Sequence, residues 1–102
     1  MQRYYIYIIR CENGELYTGI TNDVQKRFES HKSGKGAKYT KSHIPKSIEA
    51  IWQTDNKSNA LKLEFRIKKL KKQEKELLLL DNNNLKNYFS GILDLRSYRR
   101  KK

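Results

Sequence analysis

The side chains with the most chemistry to offer are two phenols, Tyr7 and Tyr17, the Arg27 guanidinium, the His31 imidazole and the Glu64 carboxylate. Brought to one spot, they suit the hydrolysis of a phosphodiester. That reaction needs a nucleophilic water, a group to take its proton, and positive charge on the developing phosphorane. It also needs help for the leaving oxygen. Arg27 can grip a phosphate in a bidentate fork. Tyr17 and His31 both stand as bases. A free imidazole titrates at about 6.5; a free phenol titrates at about 10, so the tyrosine needs nearby positive charge to serve. Glu64 is the carboxylate on the packed side of its helix. Mg²⁺ keeps most of its waters and takes one or two carboxylates plus the substrate phosphate. One divalent ion can then stabilise both the phosphorane and the leaving group.

Singly, each residue has a plainer use. A strand tyrosine is ordinarily core or cross-strand packing. A helix histidine is ordinarily solvated or satisfied in the core. Glu64 has Arg66 and Lys68 at hand for an ion pair. One cysteine and two histidines make zinc ligation not credible. Gly34-Lys35-Gly36 lacks the spacing of a phosphate-cradling loop.

The site therefore depends on the elements that position these groups. Tyr4 to Ile9 is β-branched or aromatic throughout, so residues 3–11 read as a central strand. Cys11-Glu12-Asn13-Gly14-Glu15 is a turn, and Leu16 to Ile20 the return strand. A two-residue Asn13-Gly14 turn would set Tyr7 and Tyr17 on opposite faces. A three-residue loop with Gly14 left-handed pairs Cys11 with Glu15, Ile9 with Tyr17 and Tyr7 with Gly19, and puts both phenols on one face. The three-residue loop is the expected one.

Thr21-Asn22-Asp23 opens a helix to about Lys32, with Thr21 or Asn22 as the cap and Asp23 suited to the positive end. Val24, Arg27, Phe28 and His31 share its inner side. Ser33 to Lys41 is a basic loop carrying Tyr39. Pro45 ends the irregular chain. Ser47 to Thr54 reads as a third strand with Ile48, Ala50 and Trp52 on one face. A helix with Ala60, Leu63, Ile67 and Leu70 inward follows, then another over about Gln73 to Leu80. Asp81 to Asn84 stops it. Leu85 to Leu95 suits one more short helix, and Arg96 to Lys102 reads as a mobile basic tail.

At 102 residues the chain is one domain without internal repeats. Lys and Arg number 23 against 11 Asp and Glu, a formal charge of +12. Such an excess points to a polyanionic partner. Seven tyrosines tilt that towards nucleic acid, since rings stack on bases. Lys68-Lys69-Leu70-Lys71-Lys72 adds diffuse phosphate attraction. The lone Cys11 rules out an internal disulfide and fits a reducing compartment, with its side chain a small buried hydrophobe. The first apolar run is too short for a signal-peptide core or a membrane span, so a cytoplasmic place is expected.

Tyr5-Ile6-Tyr7, nine intervening residues and Tyr17-Thr18-Gly19 resemble the paired signature of the GIY-YIG endonuclease superfamily. Arg27 and His31 stand at the offsets of its helix motif, and Glu64 where its metal-binding glutamate falls. The Leu16–Thr21 and Gly34–Thr40 stretches are similar to its small stand-alone bacterial branch, near the UvrC-type and Slx1-type nuclease domains. The resemblance covers about residues 3–80. It implies an α+β fold, a three-stranded antiparallel sheet flanked by helices. Residues 1–82 would be the nuclease-like domain and 83–102 a C-terminal extension. It further implies Tyr17 as general base, Tyr7 as orienting group, Arg27 as phosphorane stabiliser and Glu64 as the sole protein ligand of one Mg²⁺ or Mn²⁺. Relatives carry Tyr or His at the His31 position. Gly19 would allow close backbone approach. The chain departs from the pattern twice. Tyr5 replaces the first glycine of the signature, and Glu76 stands where some relatives have a site asparagine, twelve residues after the glutamate.

The leading expectation is a metal-dependent DNA endonuclease of repair or recombination, acting on damaged, branched or single-stranded substrates, with RNA still open. Lys35, Lys38, Tyr39, Lys41, Lys68 and Lys69 would contact the nucleic acid. A monomer with no membrane partner and no small-molecule cofactor is expected. The alternatives are a non-catalytic nucleic-acid-binding module retaining the fold and, third, a basic protein–protein adaptor.

Overall fold

A computed structural model describes residues 3–33 and 44–102 of the chain. Strand β1 (Tyr4–Cys11) runs through the middle of an antiparallel sheet and pairs with β2 (Leu16–Thr21) on one side and β3 (Pro45–Thr54) on the other. The β1–β2 connection is the three-residue loop. The Cys11 amide donates to the Glu15 carbonyl at 2.8 Å and the Gly14 amide to the Cys11 carbonyl at 2.9 Å. Gly14 has φ of 88°, the left-handed region a residue with a Cβ avoids. The register that follows pairs Ile9 with Tyr17 and Tyr7 with Gly19. Both phenols therefore project from one sheet face, since side chains alternate along a strand.

The opposite face carries the main core. Ile6, Ile8, Leu16, Ala50 and Trp52 pack there against Ala60, Leu63 and Ile67 of helix α2 (Lys57–Lys68). Helix α3 (Lys72–Leu80) adds Leu78, and α4 (Asn84–Phe89) adds Leu85 and Phe89. Cys11 is fully buried, and burial pushes its thiol pKa up, as befits a small hydrophobe.

Helix α1 (Val24–Lys32) starts differently from the expectation. Asp23 is itself the cap, its carboxylate accepting from the Lys26 amide at 3.1 Å, and Thr21 Oγ1 accepts from the Asp23 amide. Either Thr or Asp can cap a helix; here the side-chain oxygen three residues ahead of the free amide wins.

The sheet has a fourth strand. It comes from the basic tail, expected to be mobile: β4 (Arg99–Arg100) pairs with β3, giving the order β2-β1-β3-β4. The Lys101 amide donates to the Ile51 carbonyl at 2.7 Å. Arg100 secures the strand, its guanidinium lying 5.0 Å over the Trp52 ring and donating to the Leu78 and Leu79 carbonyls at the end of α3. Ile48 also departs from the expected pattern. A register shift between Ile8 and Ile9 pairs it with Ile9, so it lies outside the core that Ala50 and Trp52 enter. The β-bulge adds a residue and breaks the alternation. Among the described residues, no helix is long and apolar enough to cross a membrane.

Candidate active site

The hairpin sets Tyr7 and Tyr17 side by side on the face opposite the main core, with ring centroids 6.3 Å apart. Helix α1 lays His31 against both. The His31 ring sits 5.3 Å from Tyr17, edge to face, and 6.1 Å from Tyr7. The Tyr7 hydroxyl is 3.0 Å from His31 Nε2 in a buried hydrogen bond. Both Tyr7 and His31 are about 1 % exposed, so bulk water competes little for this bond.

Arg27 comes from one helical turn before His31, and its guanidinium borders both phenols. Tyr7 is the main influence that raises the Arg27 pKa, with Tyr17 adding to it. Arg27 Nε is buried with no hydrogen-bond partner. A buried donor left unmade is costly, and a bound phosphate oxygen is the sort of acceptor that would repay it.

Electrostatics sort the protonation states. Burial pushes the Tyr7 phenol up to about 12, although the Arg27 guanidinium pulls the other way; the negative charge of Glu64 adds to the upward push. Tyr7 therefore keeps its proton at neutral pH. Burial, then the positive charge of Arg27, lowers the His31 pKa. His31 is thus a neutral imidazole at pH 7. A guanidinium can only donate, so where Arg27 and Tyr7 meet the phenol oxygen is the acceptor, which pulls the Tyr7 pKa down and raises that of Arg27. Which of Tyr7 and His31 donates in the 3.0 Å bond follows the imidazole tautomer.

Glu64 arrives on α2, which packs against β1 and β2. It stands beside the core positions Leu63 and Ile67 of its helix. Its side chain is 19 % exposed and pairs with Lys68 at 3.4 Å. Its carboxylate is close enough to act on Tyr7, so the field of the site includes it. No three His, Cys, Asp or Glu residues cluster among the described residues. The donor set on offer is one hard carboxylate with open positions beside it. That suits Mg²⁺ or Mn²⁺, which tolerate water and substrate oxygens as their other ligands.

Gly19 bears on the site more directly than through backbone approach. A Cβ there would stand 2.5 Å from the Tyr7 hydroxyl and 2.7 Å from the ring carbon that bears it. The Tyr7 phenol lies in the space a side chain would take.

Glu76 does not face this cluster. It holds Arg10 through two bonds, at 2.6 and 2.9 Å, while Arg10 Nε donates to Glu49 at 3.0 Å. The pair lowers the Glu76 pKa. The departure at this position is therefore a brace between β1, β3 and α3. No spacing rule in the sequence announces it, because Arg10 and Glu76 are 66 residues apart.

Of the expected nucleic-acid contacts, Lys35, Lys38, Tyr39 and Lys41 lie outside the described residues. Lys68 is exposed at the end of α2 and Lys69 just past it. Lys68 leans on Glu64, and Lys69 sits 4.6 Å over the Phe65 ring.

Residues 3–77 match the GIY-YIG catalytic domain family. Among curated proteins the chain is similar to UPF0213 protein FN1575 of Fusobacterium nucleatum subsp. nucleatum, 50 % identical over 76 residues covering 74 % of this chain and 76 % of that one. It is also similar to UPF0213 protein YsiG of Lactococcus lactis subsp. lactis, 38 % identical over 96 residues covering 94 % and 92 %. The solution NMR structure of UPF0213 protein BH0048 from Bacillus halodurans superposes with a TM-score of 0.52 at 39 % identity, covering 84 % of this chain and 93 % of that one. Such a catalytic domain implies nuclease chemistry in general and a nucleic-acid substrate. The match spans the hairpin, α1 and the glutamate helix together, and on it the chain belongs to the GIY-YIG family, among its small UPF0213 relatives.

Proposed function

We propose that this protein is a divalent-metal-dependent endonuclease that hydrolyses DNA phosphodiester bonds. The observation that carries the reading is the buried Tyr7–His31 bond at 3.0 Å with Arg27 and Tyr17 beside it. A merely structural tyrosine pair does not call for a neighbouring guanidinium with an orphaned buried donor.

In this reading Arg27 takes a non-bridging oxygen of the scissile phosphate, satisfying Nε and matching the charge of the phosphorane as it grows. Tyr17, next to that guanidinium, removes the proton from the attacking water. Tyr7 is held protonated, so it orients rather than abstracts. Its hydroxyl is held by Arg27 and His31 together, which keeps the Arg27 fork aimed. His31, neutral, locks Tyr7 through that bond. Glu64 would hold the divalent ion, which when bound supplies Lewis-acid stabilisation of the phosphorane and of the leaving oxygen. Lys68 steadies the carboxylate and yields it to a stronger cation, because an exposed lysine pair is worth only about 0–1 kcal/mol.

Branched, damaged or single-stranded DNA in repair or recombination, in the cytoplasm and by a monomer, is the setting proposed for this activity. The test is a cleavage panel of single-stranded, duplex, flap and four-way DNA with Mg²⁺ and with Mn²⁺, beside Glu64→Ala. Metal-dependent nicking that the variant loses is the expected result. No cleavage of any substrate with either metal would overturn it and leave the non-catalytic binding reading.

A further inference from the structure

Where the tail beyond the matched residues 3–77 meets the sheet, the chain builds a second basic feature that the catalytic reading does not use. Arg3, just before β1, and Arg96 and Arg99 of the tail line one cleft of about 280 Å³ with Gln53, Asp55 and Ser97. The lining holds three arginines and one carboxylate, Asp55. Arg96 pairs with Asp94 at 3.1 Å, but its side chain is 93 % exposed, so the pair is cheap to exchange for a phosphate. We propose that this cleft is a phosphate-binding exosite that holds the nucleic-acid strand away from the scissile bond; it rests on the nuclease reading above.

Rigidity is the first argument. Arginines on a floppy tail would give only diffuse attraction. Here the β3 ladder and Arg100 over Trp52 fix the backbone that carries Arg99. Arginines on an anchored backbone lose less freedom on gripping a phosphate than the same residues on a free tail.

Placement is the second. Arg99 pairs with Gln53, and Gln53 pairs with Tyr5, so Arg99 shares the sheet face of Tyr5 and Tyr7. Arg100, the next residue, turns to the core face. Lys101 returns to the Tyr5 side, where it lines a neighbouring hollow with Tyr5, Asn22 and Ile51. The positive charge thus continues from the cleft towards β1. Arg99 is two strands from β1, and Tyr7 two residues along it from Tyr5. At about 4.8 Å per strand and 3.4 Å per residue, the Arg99 and Tyr7 backbones lie about 12 Å apart. A strand with one phosphate per about 3.4 Å spans that in about four nucleotides.

The test is binding of labelled oligonucleotides to the full chain in a Glu64→Ala background, followed by anisotropy over a salt series. The probes are a single-stranded 12-mer and a trinucleotide. Arg96→Gln with Arg99→Gln should flatten the log–log salt slope for the 12-mer by about 1.4, from about 0.7 per phosphate contact. Affinity for the 12-mer should fall at least tenfold, and the trinucleotide should barely notice. Arg3→Gln leaves the tail untouched and should remove about 0.7 of slope, which separates lost contact from an undocked tail. Lys46→Gln with Lys86→Gln removes the same charge outside the cleft and measures the effect of net charge alone. If the arginine variants bind the 12-mer as that control does, the exosite is wrong while the nuclease reading stands. If the Glu64→Ala protein with all its arginines retains neither probe, both fall together.

Discussion

The Tyr7 hydroxyl and the Gly19 α-carbon compete for one volume: a Cβ on Gly19 would come within 2.5 Å of the oxygen and 3.1 Å of a ring edge carbon. The two residues face each other across the β1–β2 ladder. A glycine on β2 is therefore what lets a phenol fold over the strand and reach His31.

Gly19→Ala follows directly. The Tyr7 ring must swing away, and the 3.0 Å bond to His31 goes with it. Overpacking of this kind costs about 1–3 kcal/mol, and a misplacement of about 1 Å in a site can cost about 10²-fold in rate. Cleavage assays and a denaturant melt on the same preparation check both parts. An alanine variant with full activity would remove the Tyr7–His31 bond from the mechanism.

Arg27→Lys should lose about 10²-fold in cleavage while binding changes little, because an ammonium cannot supply the buried Nε donor or the fork. Comparing kcat with KM decides it. A loss confined to KM would make Arg27 a binding residue only.

Glu64→Ala should abolish metal-dependent cleavage, by about 10³-fold or more if the ion supplies about 4 kcal/mol. Nucleic-acid binding at low metal should persist or tighten, since Lys68 loses its partner. Mg²⁺ and Mn²⁺ titrations of wild type and variant read this out.

Acid should act on stability through two groups in separate windows. Burial lowers the folded-state pKa of His31 below its unfolded value of about 6.5. The unfolded chain then binds the proton more readily. Stability is fully present above about pH 6.5 and is lost as pH falls towards the folded value. Urea midpoints at pH 7.5 and 5.5 should differ in wild type, and His31→Gln should narrow the gap. The Arg10 pair lowers the Glu76 pKa below its ordinary 4.5, so its contribution is present above that value and goes as pH falls further.

Arg10→Ala tests the brace. It strands Glu49 and Glu76, whose side chains are 28 % and 37 % exposed. That exposure screens the charges, so the loss should be about 1–2 kcal/mol rather than the 3–5 of a fully buried pair. Denaturant unfolding at pH 7 measures it, and the wild-type advantage should shrink as pH falls below 4.5.

How much was legible in the sequence differs by range. Asn13-Gly14 and the apolar runs around it contain the hairpin, its three-residue loop and so the shared face of Tyr7 and Tyr17, because turn chemistry and strand alternation act over a few residues. The i, i+4 spacing of Arg27 and His31 likewise contains their common helical side, and Glu64 its place beside Leu63 and Ile67. Tertiary structure alone decided the rest. Ile48 left the core through a bulge that shows only when β3 is laid against β1. The tail became a strand because Arg100 found Trp52 and the end of α3, contacts that no local pattern encodes. Glu76 became a brace because Arg10 lies across the sheet from it. The Tyr7 pKa was decided the same way: burial under α1 and over Gly19 pushes it up, and desolvation is a property of the surroundings, not of the residue.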